Sequence, residues 1–218
     1  MKDVFEYAKY LKKKIPDICN TYDGNMKLQK LLVFADLIHL ARNGELLFDD
    51  DIYAFENGCV VENVRLRFKN DYLGFSLDSE KFNPNFSQQE YESLNTTIDI
   101  FGKLSAKELS ELNHVFDFWK NALERGTYSS GFHEKAFSII DIEKMKEEAS
   151  KIRDVLSCYE KTSKERLEKE VVNGITFLYD PTTMIVNEDV LPTLIEFSLQ
   201  AEDNVYSMYL DGKDLVIY

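Results

Sequence analysis

The chain has 218 residues, 44 % hydrophobic and 13 % aromatic, enough for one sizeable core with or without an appendage. Its 39 acidic against 26 basic residues leave a formal charge of −13, which argues against broad nucleic-acid binding and favours attraction to a basic partner. No apolar run approaches the roughly 20 residues of a membrane helix, and the opening MKDVFEYAKYLKKKIPD lacks an apolar signal core, so a cytoplasmic location without a membrane partner is expected.

Asp3 can cap a first helix that runs to about Lys14, with Val4, Phe5, Ala8 and Leu11 at helical spacing. Lys12, Lys13 and Lys14 suit its negative end, and Pro16 stops it. Tyr22-Asp23-Gly24-Asn25 reads as a turn, and a second helix is expected from about Met26 to Arg42, ended by Gly44. It is apolar nearly all round, the pattern of a helix enclosed by protein, with His39 as a hydrogen-bonded core residue. Asp49, Asp50 and Asp51 form an acidic loop whose consecutive side chains diverge, which favours a turn role over a cation site. Ile52 to Asn57 alternates as a short strand, Gly58 turns, and Val60 to about Lys69 reads as a helix with Val61, Val64, Leu66 and Phe68 inward.

Residues 71–86 look irregular. Ser87–Glu90 and Ser105–Glu108 are capping boxes, the first opening a helix that reaches about Phe101, the second a helix that carries Leu109, Leu112 and His114. A helix through Phe116 and Trp119 ends near Gly126, 132–138 is a linker, and Asp141 to about Tyr159 is a helix with Ile142, Met145, Ala149, Ile152, Val155 and Leu156 on one face. The charged stretch 161–170 prolongs that helix or links onward. After it, Gly174–Asp180 and Thr183–Val186 read as strands around Pro181-Thr182, Asp189 as the cap of a helix with Pro192 in its first turn, and 204–210 and 213–218 as strands around Asp211-Gly212. The expected fold is α+β and mainly helical: a multi-helix domain over 1–160 and a small C-terminal antiparallel ββ-α-ββ unit over 171–218, packed on the first. That tail holds eight acids and one base, a solvated surface or a docking face in which Glu202 and Asp203 stand out.

No phosphate loop, nucleophile elbow or metal spacing occurs, so no catalytic residue, metal or cofactor is expected. Cys19, Cys59 and Cys158 are dispersed and odd in number, which suggests buried or idle thiols. Glu111 and His114, three apart on one helix face, are the only acid–base candidates, and Trp119 can complete a polar cluster with them.

Two ordered blocks resemble the Panacea antitoxin domain family, which includes SocA-like proteolytic adaptors and GepA-like phage-associated proteins. The first comprises Lys27-Leu28-Gln29-Lys30-Leu31-Leu32 with Phe34-Ala35, Leu47-Phe48-Asp49, Ile52-Tyr53-Ala54-Phe55 with Glu56-Asn57-Gly58, then Val60-Val61 and Val64. The second runs from Ser105 to His114 and continues through Trp119-Lys120-Asn121-Ala122, so the resemblance covers about 1–145. Where the family usually has Trp, Gly-Pro-Val and Thr-His, this chain has Phe55, Gly58-Cys59-Val60 and Asn113-His114. The resemblance implies a non-enzymatic multi-helix protein that neutralises a co-encoded bacterial or phage toxin by direct binding, as a hetero-oligomer with it or as a homodimer. Delivery of the toxin to a protease and autoregulatory DNA binding are the alternatives. Lys27, Lys30, Glu56, Glu111, His114, Trp119, Glu202 and Asp203 are the candidate partner-binding residues. Lys27, Gln29 and Lys30 are expected at a helix start, in contact with a partner or solvated.

Overall fold

The computed structural model describes residues 2–164, 167–181, 183–211 and 214–218, and the chain divides into two compact units, Met1–Leu156 and Ser157–Tyr218. It is mainly helical with a small C-terminal sheet, the expected α+β class. Among the described residues no helix is long and apolar enough to cross a membrane.

The first unit is assembled around α2 (Tyr22–Asn43), in which every residue from Lys27 to Leu40 is buried. At 1.5 Å per residue this helix spans about 33 Å. It starts four residues before the expected Met26, because Thr21 rather than a turn at 22–25 organises its end: the Thr21 hydroxyl accepts from the Gly24 N–H at 2.9 Å. A Cβ at Gly24 would stand 2.1 Å from the Cys19 carbonyl oxygen, so glycine serves close approach there rather than a turn. Gly44, left-handed at φ 78°, ends the helix as read.

Around α2 pack α1 (Val4–Lys14), α5 (Gln88–Phe101) and α6 (Ala106–Asn113). Asp3 caps α1, and both serine capping boxes form. α5 grips α2 through Ser93, whose hydroxyl lies 3.0 Å from His39 Nδ1, in keeping with a core histidine. The stretch expected to be irregular contains α4 (Tyr72–Lys81), which follows α3 (Glu62–Asn70) and packs on α1. Asp71 caps it by accepting from Gly74 N–H at 3.0 Å, a signal outweighed in the sequence by the glycine and the Asn83-Pro84-Asn85 turn.

Between α2 and α3 lies a hairpin, β1 (Ile52–Phe55) and β2 (Gly58–Val61). Val60 and Val61, read as helical, pair with Tyr53 and Ile52, so α3 begins only at Glu62. Leu66 is correspondingly 38 % exposed rather than inward. After α7 (Asp117–Gly126), the expected linker makes a short 3-10 turn at Lys135–Phe137 and then lies along the other edge of β1. Ala54 N–H donates to Ser138 O and Ile140 N–H to Ile52 O, both at 2.8 Å. α8 (Ile142–Lys164) buries Met145, Ala149, Ile152 and Leu156, while Ile142 and Val155, assigned to the same face, are exposed.

The second unit has the ββ-α-ββ order. β3 (Glu168–Val172) and β4 (Ile175–Tyr179) form its first hairpin around Asn173-Gly174, both at positive φ, 52° and 86°. The expected turn, Pro181-Thr182, was eight residues later; Thr183–Val186 is not a strand, and Thr182 lies outside the described residues. α9 (Leu191–Ser198) has Pro192 in its first turn, but Asp189 does not cap it. Asn187 Oδ1 instead accepts from the Asp189 and Val190 N–H groups at 3.1 and 3.2 Å. β5 (Val205–Asp211) and β6 (Asp214–Ile217) are antiparallel, with Gly212 and Lys213 outside the described residues, as are Glu165 and Arg166 of the charged stretch. Both hairpins are antiparallel, and the β4–β5 pairing that joins them is parallel. The connection through α9 carries the chain back to the end where β4 began, which a tight turn cannot do. Phe177, Leu194, Met184 and Met208 fill the core beneath.

One buried carboxylate ties α2 to the acidic loop. Asp36 Oδ1 accepts from Leu47 N–H at 2.6 Å, and Phe48 N–H also donates to the group. Its Oδ2 has no partner among the described residues. Burial, reinforced by the charge of Asp49, pushes the Asp36 pKa up to about 7 against the two backbone donors. A folded-state pKa above the unfolded 3.8 means that folding takes up a proton, so this contribution is complete below 3.8 and is lost as pH rises through about 7. Asp36→Asn, which retains the acceptor, is expected to flatten that dependence by up to about 4 kcal/mol at 1.36 kcal/mol per pH unit. Urea melts of both proteins between pH 4 and 8 check it; parallel stability profiles would show that Asp36 is ionised throughout.

Candidate functional site

The outer edge of β2 has no third strand. Side chains from two helices take its place. Gln29 Oε1 accepts from Val61 N–H at 3.0 Å, Lys30 Nζ donates to Cys59 O at 2.8 Å, and Asn113 Oδ1 accepts from Cys59 N–H at 2.8 Å. The hairpin turn is held in the same way. Trp119 Nε1 donates to Phe55 O at 2.9 Å, the His114 ring bonds the Glu56 backbone, and Ser110 Oγ donates to Asn57 O at 2.8 Å. His114 stacks on Trp119 with centroids 4.0 Å apart and planes 17° from parallel. Gly58, at φ 94°, is the point of closest approach: a Cβ there would lie 3.0 Å from both Lys30 Nζ and Asn113 Cβ.

The candidate residues divide accordingly. Lys27 and Lys30 are neither at a solvated helix start nor on an outer surface, because α2 begins earlier than expected and both are buried. Lys27 pairs with the exposed Asp17 at 3.2 Å. His114 and Trp119 are brought together, but Glu111 is exposed and faces Lys107 at 3.8 Å. Burial lowers the His114 pKa, followed by the opposing pull of the Glu56 backbone, so the ring is neutral near pH 7. Glu56 is exposed at the hairpin tip. Glu202 and Asp203 are exposed in the second unit, their N–H groups donating to the Tyr206 hydroxyl at 2.9 and 2.8 Å. In the acidic loop, Asp50 accepts from Asn63 and Asp51 from the Tyr53 hydroxyl, and no metal-binding cluster occurs among the described residues. Cys19, Cys59 and Cys158 form no disulfide, and burial pushes the Cys59 thiol up to about 12.

Asn113 and Ser110 have roles that sequence spacing does not reveal. Two of the three departures from the pattern that the sequence resembles, Cys59 and Asn113, meet in one hydrogen bond. A proline at position 59 has no N–H, and so presents nothing for residue 113 to accept. Cysteine restores the donor, and asparagine answers it.

Beside the clamp opens a cleft of about 750 Å³, walled by the start of α2, by α3 and by the hairpin. Asn25 and Gln29 hold one wall, bonded to each other at 3.1 Å, and Asn25 also donates to Arg65 O at 3.1 Å. Arg65 is paired with Glu62 through contacts of 2.6 and 3.0 Å, which hold the carboxyl of Glu62 below its usual range despite the opposing effect of burial. Lys30 underlies the cleft; burial lowers its pKa to about 8.

Residues 28–120 match the family model described as antitoxin SocA-like, Panacea domain. The match opens beside Gln29 and closes beside Trp119, so it contains both sides of the clamp. No curated protein and no solved structure matches the chain.

Removing the Asn113 acceptor is expected to cost about 1–3 kcal/mol, the penalty for an unpaired buried N–H. In a Cys59→Pro background no N–H is left to orphan, so Asn113→Ala should lose most of that component. A double-mutant cycle by denaturant unfolding measures the coupling; additive costs would show that the bond contributes nothing. Gly58→Ala should separately destabilise the fold by about 1–3 kcal/mol through its positive φ, read as a fall in the thermal midpoint.

Proposed function

We propose that this chain is a non-catalytic antitoxin that neutralises a co-encoded protein toxin by direct contact. The observation that carries this reading is the SocA-like Panacea match from Leu28 to Lys120. The disposition of the matched side chains supports a division of labour. Gln29, Ser110, Asn113 and Trp119 each satisfy a backbone group of the hairpin. They build a scaffold and are not available as a contact surface. Contact falls to what the scaffold displays, chiefly Glu56 at the hairpin tip, and to the acidic second unit with Glu202 and Asp203. With a net charge of −13, electrostatic attraction favours a toxin with a basic face.

The test is co-expression with the adjacent reading frame. Its product should arrest growth alone and be silenced by this chain, and the two proteins should co-purify. A harmless neighbour, or a toxic one that this chain leaves active, overturns the proposal. Glu56→Arg and the pair Glu202→Lys with Asp203→Lys should each weaken toxin binding about tenfold or more, a loss of about 1.4 kcal/mol, measured by calorimetry. Unchanged affinity in both would place the contact elsewhere.

A further inference from the structure

The clamp leaves one charge unexplained. The Lys30 ammonium is 1 % exposed, yet its sole partner among the described residues is the neutral Cys59 carbonyl. A buried ammonium without a counter-ion costs several kcal/mol, and a methylene chain ending in a neutral donor would serve the β2 edge without that cost. The charge has company. Lys69 is exposed on the cleft wall and has no ion pair among the described residues, while Arg65 beside it is neutralised by Glu62, so Lys30 and Lys69 face the single lining carboxylate of Glu56. In a chain of net charge −13, this concavity has the opposite sign. Phe55, Phe68 and Val60 supply apolar wall. The volume of about 750 Å³ falls within the roughly 300–1,000 Å³ typical of small-molecule sites. The Asn25–Gln29–Arg65 bonds hold the walls in place without a ligand.

We propose that the cleft between the start of α2, α3 and the hairpin binds a small molecule with an anionic group on an apolar body. The acid lies toward Lys69 and the field of Lys30, and the body rests against Phe55 and Phe68. The site stands apart from the antitoxin reading, and its test needs no toxin.

The probe is 8-anilinonaphthalene-1-sulfonate, an aromatic body with one sulfonate, titrated into the full chain and followed by fluorescence. The comparator is N-phenyl-1-naphthylamine, the same rings without the charge. Saturable one-to-one binding is expected, at least tenfold tighter for the sulfonate. Lys69→Glu and Val60→Trp, which fills the cleft, should each weaken it at least tenfold. Lys103→Glu, an equal charge change on an exposed residue outside the cleft, should not. Equal binding of the neutral dye, non-saturable binding, or indifference to Lys69→Glu overturns the proposal. Should Val60→Trp fail to fold, Lys69→Glu decides alone.

Discussion

A two-stranded ribbon in water is marginal, and an open strand edge invites pairing with another chain. The hairpin of this protein avoids both problems because helices complete it. Three amide or ammonium side chains occupy the edge positions of β2 where a neighbouring strand would donate and accept. On the far side, residues 138–140 pair with β1 through two backbone bonds. The arrangement binds α2, α6 and α7 to one short piece of sheet, and α1 and α5 enclose the rest of α2. Gln29, Lys30 and Asp36 are tolerated on so apolar a helix because each meets a backbone group that would otherwise be unsatisfied.

Much of this was legible one element at a time. Asp3, Ser87 and Ser105 announced their helices because capping is local chemistry, complete within four residues. β2 was obscured because Gly-Cys-Val-Val is short, apolar and directly continuous with a helix, so neither period has room to show. Gln29 and Lys30 resembled a solvated helix end because their partners lie about thirty residues away, at Val61 and Cys59. Only the family resemblance placed those stretches together, and it did so without a reason. The hydrogen bond between Cys59 and Asn113 supplies one, since two departures that look independent in sequence are donor and acceptor of the same bond.

The second unit shows the opposite balance. Its element order was legible, and its first turn was not. Asn173-Gly174 carries the hairpin signal by composition and by backbone angle, but Pro181 drew the turn toward itself. The parallel step between β4 and β5 is a property of the connection, twenty-odd residues with a helix in it, and no strand's own residues encode it. Among the described residues of this unit no acid is buried, and the core around Phe177, Leu194 and Met208 is apolar.

Trp119 is the only tryptophan of the chain, and it stands in the clamp with its ring against His114 and its N–H on the hairpin turn. The protein therefore carries an internal optical gauge in the clamp. Indole emission is sensitive to hydrogen bonding at the ring nitrogen and is quenched by a stacked imidazolium but much less by imidazole. Burial holds the His114 pKa down, which biases the ring stacked on the indole toward its uncharged form. Opening of the hairpin and protonation of its clamp both act within reach of one chromophore.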